Sequence, residues 1–147
     1  MRQQGFTLIE LIVVMLVMAV LAAYAGTRWS FGDATVSAQA EQLARDLRHA
    51  QMLAMQQGQT LRLESTGGGY RVTDGTSVIL DPATQTDFIQ PLDNGVSLSG
   101  GPVEFDSLGR PVSGGSLVSA PVSFTLNGNS DSAGLSVAPV TGFVSGP

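Results

Sequence analysis

The chain has 147 residues, with 12 acidic against 7 basic side chains, a formal net charge of −5, no lysine and no cysteine. A length of this order holds one domain, and the missing thiols exclude disulfides, a cysteine nucleophile and a plausible zinc cage. From Val72 onward seven acids (Asp74, Asp81, Asp87, Asp93, Glu104, Asp106, Asp131) stand against Arg110 alone, so the basic cluster on which nucleic-acid binding rests is absent and no nucleic acid is expected as a partner.

The first predicted element is an apolar helix over residues 6–26, interrupted by one charge, Glu10. At ~1.5 Å rise per residue a helix of that length crosses the ~30 Å hydrocarbon core of a bilayer. Upstream the sole charged side chain is Arg2, so the positive-inside bias keeps the N-terminus cytoplasmic and sends the remainder across. Glu10 is the informative residue, because a carboxylate at such depth costs ~2.5 to 3.5 kcal/mol on insertion scales and calls for a specific partner or task. Two plainer readings compete. A secretory signal peptide, with Ala23-Tyr24-Ala25 as a small-x-small cleavage site, would release a soluble periplasmic binding module after Ala25. A plain signal anchor would let Glu10 snorkel to the headgroups. The first is opposed by an n-region with Arg2 alone and by a carboxylate early in the apolar run, and neither explains why Gly5 directly precedes Phe6-Thr7-Leu8-Ile9-Glu10.

Gly5-Phe6-Thr7-Leu8-Ile9-Glu10, joined to an apolar helix of spanning length, resembles the class III leader junction of type IV pilins and type II secretion pseudopilins. The resemblance implies that a membrane prepilin peptidase cuts between Gly5 and Phe6 and N-methylates Phe6. It also implies that Glu10 is the assembly carboxylate, paired with the terminal amine of a neighbouring subunit. The physics is compatible: a free α-amine has an unperturbed pKa of ~7.7 to 8, and an amine and a carboxylate buried together each cost less than either alone. The implied partners are other pilin or pseudopilin subunits, the prepilin peptidase, an inner-membrane assembly platform and membrane lipid. The implied location is the inner membrane, single-pass with a periplasmic head, and then the filament.

Beyond the apolar run, Arg28-Trp29 supplies a cation and an amphipathic ring where a helix is anchored at the outer interface. Gly26, Gly32 and Asp33 mark a weak point where the helix bends or frays. Helical spacing then returns. Val36, Ala40, Leu43, Leu47, Ala50 and Ala54 share one face suited to covering a sheet, while Glu41, Gln42, Arg45, Arg48 and His49 form a solvated or subunit-facing side. Glu41 and Arg45 are spaced for an i,i+4 pair worth a few tenths of a kcal/mol. Gln56-Gln57-Gly58 is a helix stop, and one continuous helix over 6–57 would measure ~78 Å.

After Gly58 the apolar period changes from 3.6 to 2, which predicts strands over 60–64, 70–73 and 76–80, with turns at Thr66-Gly67-Gly68-Gly69 and Asp74-Gly75. These three strands read as an antiparallel meander, followed by a mostly loop segment over 83–94 with an apolar touch at Phe88 and Ile89. Further strands are predicted over 96–98, 103–105, 122–126 and 135–138, between Gly, Pro, Asn and Ser clusters.

Leu47-Arg48-His49-Ala50-Gln51-Met52-Leu53-Ala54 on the long helix, with strands following at once, is similar to the H-type minor pseudopilins and the FimT or FimU-like minor pilins. Phe105-Asp106-Ser107-Leu108-Gly109-Arg110-Pro111 resembles a turn common in that group. The chain departs from the group at Thr141-Gly142, where Phe143 follows in place of a basic residue.

Catalytic chemistry is hard to find. His49 is the single histidine, on a helix among polar neighbours, and reads as a solvated or packed ring. Glu104 and Asp106 sit where a turn begins and read as solvated caps, and Thr66-Gly67-Gly68-Gly69 lacks the Lys-Ser/Thr of a phosphate loop. Asn127-Gly128-Asn129-Ser130-Asp131 offers oxygen ligands but no bidentate glutamate, so a hairpin turn is expected rather than a calcium loop. No catalytic residue, metal or cofactor is expected.

The expected fold is α+β, a long N-terminal helix packed on an antiparallel β-sheet head. Residues 1–5 are the leader, 6–26 the transmembrane and assembly helix, 27–57 its amphipathic periplasmic half and 58–147 the β-rich head. The function implied is that of a minor pilin or pseudopilin, a structural subunit and not an enzyme.

Overall fold

In a computed structural model of the chain, residues 8–26 and 31–146 are described, with their side chains over 8–21 and 35–146. The chain falls into two compact units, Met1–Phe31 and Gly32–Pro147. The first contains helix α1, Leu8–Gly26. Helix α2, Phe31–Gln57, leads the second. Residues 27–30, on which a single helix over 6–57 depends, lie outside the described residues.

Helix α2 forms because its apolar residues return every three or four positions, and Val36, Ala40, Leu43, Leu47, Ala50 and Ala54 are all buried. It stops at Gly58, whose φ of 65° is the left-handed conformation that glycine adopts without a Cβ penalty. The Gln59 N–H then donates to the Ala54 carbonyl (3.3 Å), closing the helix end in a Schellman arrangement.

Twelve short strands follow: β1 Leu61–Thr66, β2 Gly69–Thr73, β3 Leu80–Asp81, β4 Thr86–Asp87, β5 Ile89–Pro91, β6 Ser97–Gly100, β7 Val103–Phe105, β8 Pro111–Ser113, β9 Ser116–Leu117, β10 Val122–Asn127, β11 Ser132–Val137 and β12 Val144–Ser145. The head is antiparallel as expected, but it is built from a six-stranded sheet in the order β5-β2-β1-β7-β8-β9, a four-stranded sheet in the order β12-β11-β10-β6, and the β3-β4 pair. Ser65 Oγ donates to the Leu98 carbonyl (3.2 Å), tying the two larger sheets together. Alternation sets which residues turn inward: Leu61, Leu63, Tyr70, Val72, Val103 and Phe105 from the first sheet, and Phe124, Leu126, Leu135 and Val137 from the second, join the α2 face in one core.

The meander is corrected. Of the expected strand over 76–80 only Leu80 lies in a strand, β3, and the segment over 83–94 contributes β4 and β5. The reason is competition for the edge of β2. Val72 N–H donates to the Phe88 carbonyl (3.0 Å) and its carbonyl accepts from Ile79 N–H (3.0 Å), so two segments share one edge. Asp74 turns the chain by accepting from the N–H groups of Ser77 and Thr76 (2.8 Å each). Those two donors hold its carboxyl below the usual range.

Candidate functional site

Helix α1 presents apolar side chains all round. From Leu8 to Leu21 every large hydrophobic is between 49% and 77% exposed, and so extended an apolar surface marks a place where another molecule or a membrane belongs. Among the described residues no helix is long and apolar enough to cross a membrane; the described side chains of α1 stop at residue 21, short of the ~20 residues that a span requires. Glu10 falls in the first turn of α1 and is exposed, where a carboxylate also complements the positive end of the helix. Gly5, Phe6, Arg28 and Trp29 lie outside the described residues, so of the residues expected to serve processing, assembly and interface anchoring Glu10 is the one the structure positions.

On α2 the side away from the core divides. Glu41, Arg45 and Arg48 are exposed, with Arg45 Nη1 3.8 Å from Glu41 Oε2, the pair that the spacing predicts. Gln42 and His49 are half-buried, contrary to a wholly solvated side. The arm from β3 to β5 covers His49: its ring tilts against Phe88 with centroids 5.6 Å apart, and its Nε2 lies 4.0 Å from Asp81 Oδ1. Asp81 is spent locally, accepting from Ala83 N–H (2.9 Å). Among the described residues no three His, Asp or Glu side chains gather to hold a metal ion.

A group that sequence reasoning missed is Asp46, 7% exposed and buried beneath α2. It accepts from Tyr70 Oη (2.7 Å) and, on both oxygens, from Gln42 Nε2 (3.1 Å). One signal was available: Asp46 lies between Leu43 and Leu47, on the covered side of the helical pattern.

Glu104 pairs with Arg62 (3.4 Å) on the outer face of the sheet, in a chain of charges that continues from Arg62 through Glu64 to Arg71. Asp106 caps the turn between β7 and β8, accepting from Leu108 N–H (2.9 Å), Arg110 N–H (2.8 Å) and the Arg110 guanidinium (2.7 and 2.9 Å). The two carboxylates thus have separate partners and form no acid/base dyad. Desolvation opposes ionisation of Asp106, but Arg110 and the two amides outweigh it and hold the carboxyl below its usual range. A depressed carboxylate stabilises the fold above its unfolded pKa and loses that contribution as pH falls through the folded value. We therefore expect this turn to loosen as pH drops below about 4. Amide exchange at Leu108 and Arg110 should accelerate there, and Asp106→Asn should remove the pH dependence.

The same residues lie inside a matched region, since the family model of the type II transport protein GspH matches residues 39–141, from α2 through the last turn before β12. The chain belongs to the type II transport protein GspH family. A second model, the prokaryotic N-terminal methylation motif, matches residues 1–26. The head fold is similar to the crystal structure of the type IV minor pilin FimU from Pseudomonas aeruginosa strain PAO1, with a TM-score of 0.54 at 14% identity, covering 76% of this chain and 87% of that one. No curated protein sequence matches. This GspH-family chain is a minor pilin or pseudopilin subunit, and nothing favours a soluble module released after Ala25. Membership carries assembly with other pilin-class subunits and anchoring at a membrane. The families matched are of structural proteins, not enzymes.

Proposed function

We propose that the chain is cut by a prepilin peptidase between Gly5 and Phe6, that Phe6 is N-methylated, and that Glu10 then pairs with the Phe6 amine of an adjacent subunit during assembly. In this reading residues 1–5 are the leader and 6–26 wait in the inner membrane, N-terminus cytoplasmic, with Arg28 and Trp29 at the outer interface. Residues 27–57 carry the helix into the periplasm, where 58–147 form the head. An inner-membrane platform moves the subunit into the filament. One observation carries the reading: the methylation motif over 1–26 ends in a helix whose apolar side chains are exposed, with Glu10 as its single carboxylate. A helix apolar on every side lowers its free energy by lying in lipid or against like helices, and the two buried charges lower each other's cost.

The N-terminal residue and mass of the mature protein test this directly. Methylated Phe6 is the expected result. A protein beginning at Gly26 would mean signal-peptidase release, and one retaining Met1 would mean that no processing occurs.

A further inference from the structure

The unit Gly32–Pro147 has no cysteine, and its sulfur is confined to Met52 and Met55, close to the C-terminal end of α2. Both side chains are exposed, at 45% and 47%. With no thiol to compete, these two thioethers are the sulfur that an oxidant meets on the head, and oxidation turns each from apolar to polar. The surroundings of Met55 give that change a structural consequence. Gln51, four residues earlier on the same face of α2, donates through Nε2 to the carbonyls of Gly109 (2.7 Å) and Thr141 (3.1 Å), holding two turns onto the helix. A side chain at Gly109, whose φ is 75°, would meet Met55 Sδ at 2.9 Å and Gln51 Cγ at 3.3 Å. One at Gly142 would strike the Gln51 amide and the Gly109 carbonyl. The Met55 sulfur, the Gln51 amide and two bare glycine backbones are therefore packed together.

The second of the two turns is strained. Thr141 N–H donates to the Pro139 carbonyl (2.7 Å), closing a γ-turn on Val140 at φ 68°. A β-branched residue occupies that conformation only at a steric cost, and keeps it only while its surroundings enforce it. The bond from Gln51 to the Thr141 carbonyl is part of that enforcement. Leu108 on the first turn and Phe143 on the second are held out to solvent, so whatever frees Gln51 moves the exposed apolar surface at this end of the head.

We propose that Met55 is a site of reversible oxidation to the sulfoxide, and that the new oxygen takes Gln51 Nε2 from the Gly109 and Thr141 carbonyls, releasing both turns from the helix end. The oxidant is a peroxide. A lone pair of the Met55 sulfur attacks one oxygen of hydrogen peroxide, the O–O bond breaks and an S–O bond forms. The proton of the transferred hydroxyl passes to the departing hydroxide, which leaves as water. The sulfur gives up two electrons and the peroxide gains them. A sulfoxide oxygen is a polar acceptor placed within reach of an amide that already divides itself between two carbonyls, and its added bulk falls against Gly109, where no Cβ is tolerated. Release lets Val140 relax. A sulfoxide reductase removes the oxygen and restores the contact. The inference needs neither Phe6 nor Glu10, so its success or failure is separate from that of the filament reading.

Full-length chain in detergent micelles is treated with hydrogen peroxide and followed by peptide mass mapping, thermal unfolding and the rate at which chymotrypsin cuts after Leu108 and Phe143. As Met55 gains its oxygen, we expect cutting to accelerate about fivefold and the melting temperature to fall by about 3 °C. Methionine sulfoxide reductase should return both to their starting values. Met52→Leu, which keeps Met55, should respond as the parent does, whereas Met55→Leu should hold within about 1 °C with no acceleration. Each variant is compared with its own untreated sample, so any cost of the substitution cancels, and Met15 and Met18 are present in all of them. Gln51→Leu should be cut fast from the outset and gain little on oxidation. The proposal is overturned if Met55 stays unoxidised after Met52 has fully reacted, if Met55→Leu responds like the parent, or if Met55 converts with cutting and melting unchanged.

Discussion

Glu10→Ala is expected to leave processing intact and to reduce incorporation into filaments on the order of a hundredfold, the equilibrium factor that corresponds to stranding an ionised group at a cost of ~2.5 to 3.5 kcal/mol in the membrane. Processing survives because the peptidase, in the proposed mechanism, acts at Gly5 and Phe6. Incorporation fails because the incoming subunit no longer brings a negative charge to the terminal amine of its neighbour. Glu10→Gln separates charge from shape: it keeps a hydrogen-bond acceptor at the same place but cannot neutralise the amine, so an intermediate loss is expected. The measurement is the amount of mature subunit in sheared filaments relative to that in membranes. Parent-like amounts for Glu10→Ala, with the mature mass unchanged, would remove the assembly role from this residue and leave α1 to associate by apolar packing alone.

The second large effect belongs to the head. Asp46→Ala should destabilise it by about 2 to 3 kcal/mol, because the buried Tyr70 hydroxyl and the Gln42 amide lose their acceptor and the hydroxyl has no route to water. Denaturant unfolding of the full chain in detergent reads this. Tyr70→Phe should cost less, since Gln42 still satisfies the carboxylate, and the double variant should be less destabilised than the sum of the two, because both changes delete one hydrogen bond. A variant Asp46→Ala within about 0.5 kcal/mol of the parent would show that the bond contributes nothing net.

The same pair makes a prediction about alkaline pH. Burial first, and then the hydrogen bond to Asp46 and its charge, push the Tyr70 phenol well above its ordinary range. The native state therefore holds the proton where the unfolded chain releases it near pH 10. Stability from this source is complete below that value and is lost as pH rises beyond it. Tyr70→Phe should abolish the alkaline loss.

Gly5 through Glu10 could be read from the sequence because their information is local: six adjacent residues and an apolar run need no partner elsewhere in the chain to be recognised. The face of α2 was legible for a related reason, since Val36 to Ala54 recur at a spacing that backbone geometry imposes on any helix. The sheet was less so. Strands over 60–64 and 122–126 show their alternation, but β8, β9 and β12 are two or three residues long, too short for a period to appear. The arm from Leu80 to Pro91 could not be placed because its course depends on which segment wins the edge of Val72, a matter of pairing and not of propensity.

The sequence by itself determined the α+β class and the helix face that meets the core, because each follows from residue spacing along one element, and its first ten residues supplied the resemblance on which the proposed leader junction and assembly carboxylate rest. Tertiary structure alone decided that the head divides into two larger sheets, that Asp46 is buried against Tyr70, and that the arm from β3 to β5 covers His49. Those outcomes depend on which distant segments compete for the same hydrogen bonds and the same buried volume, and a one-dimensional pattern carries no record of that competition.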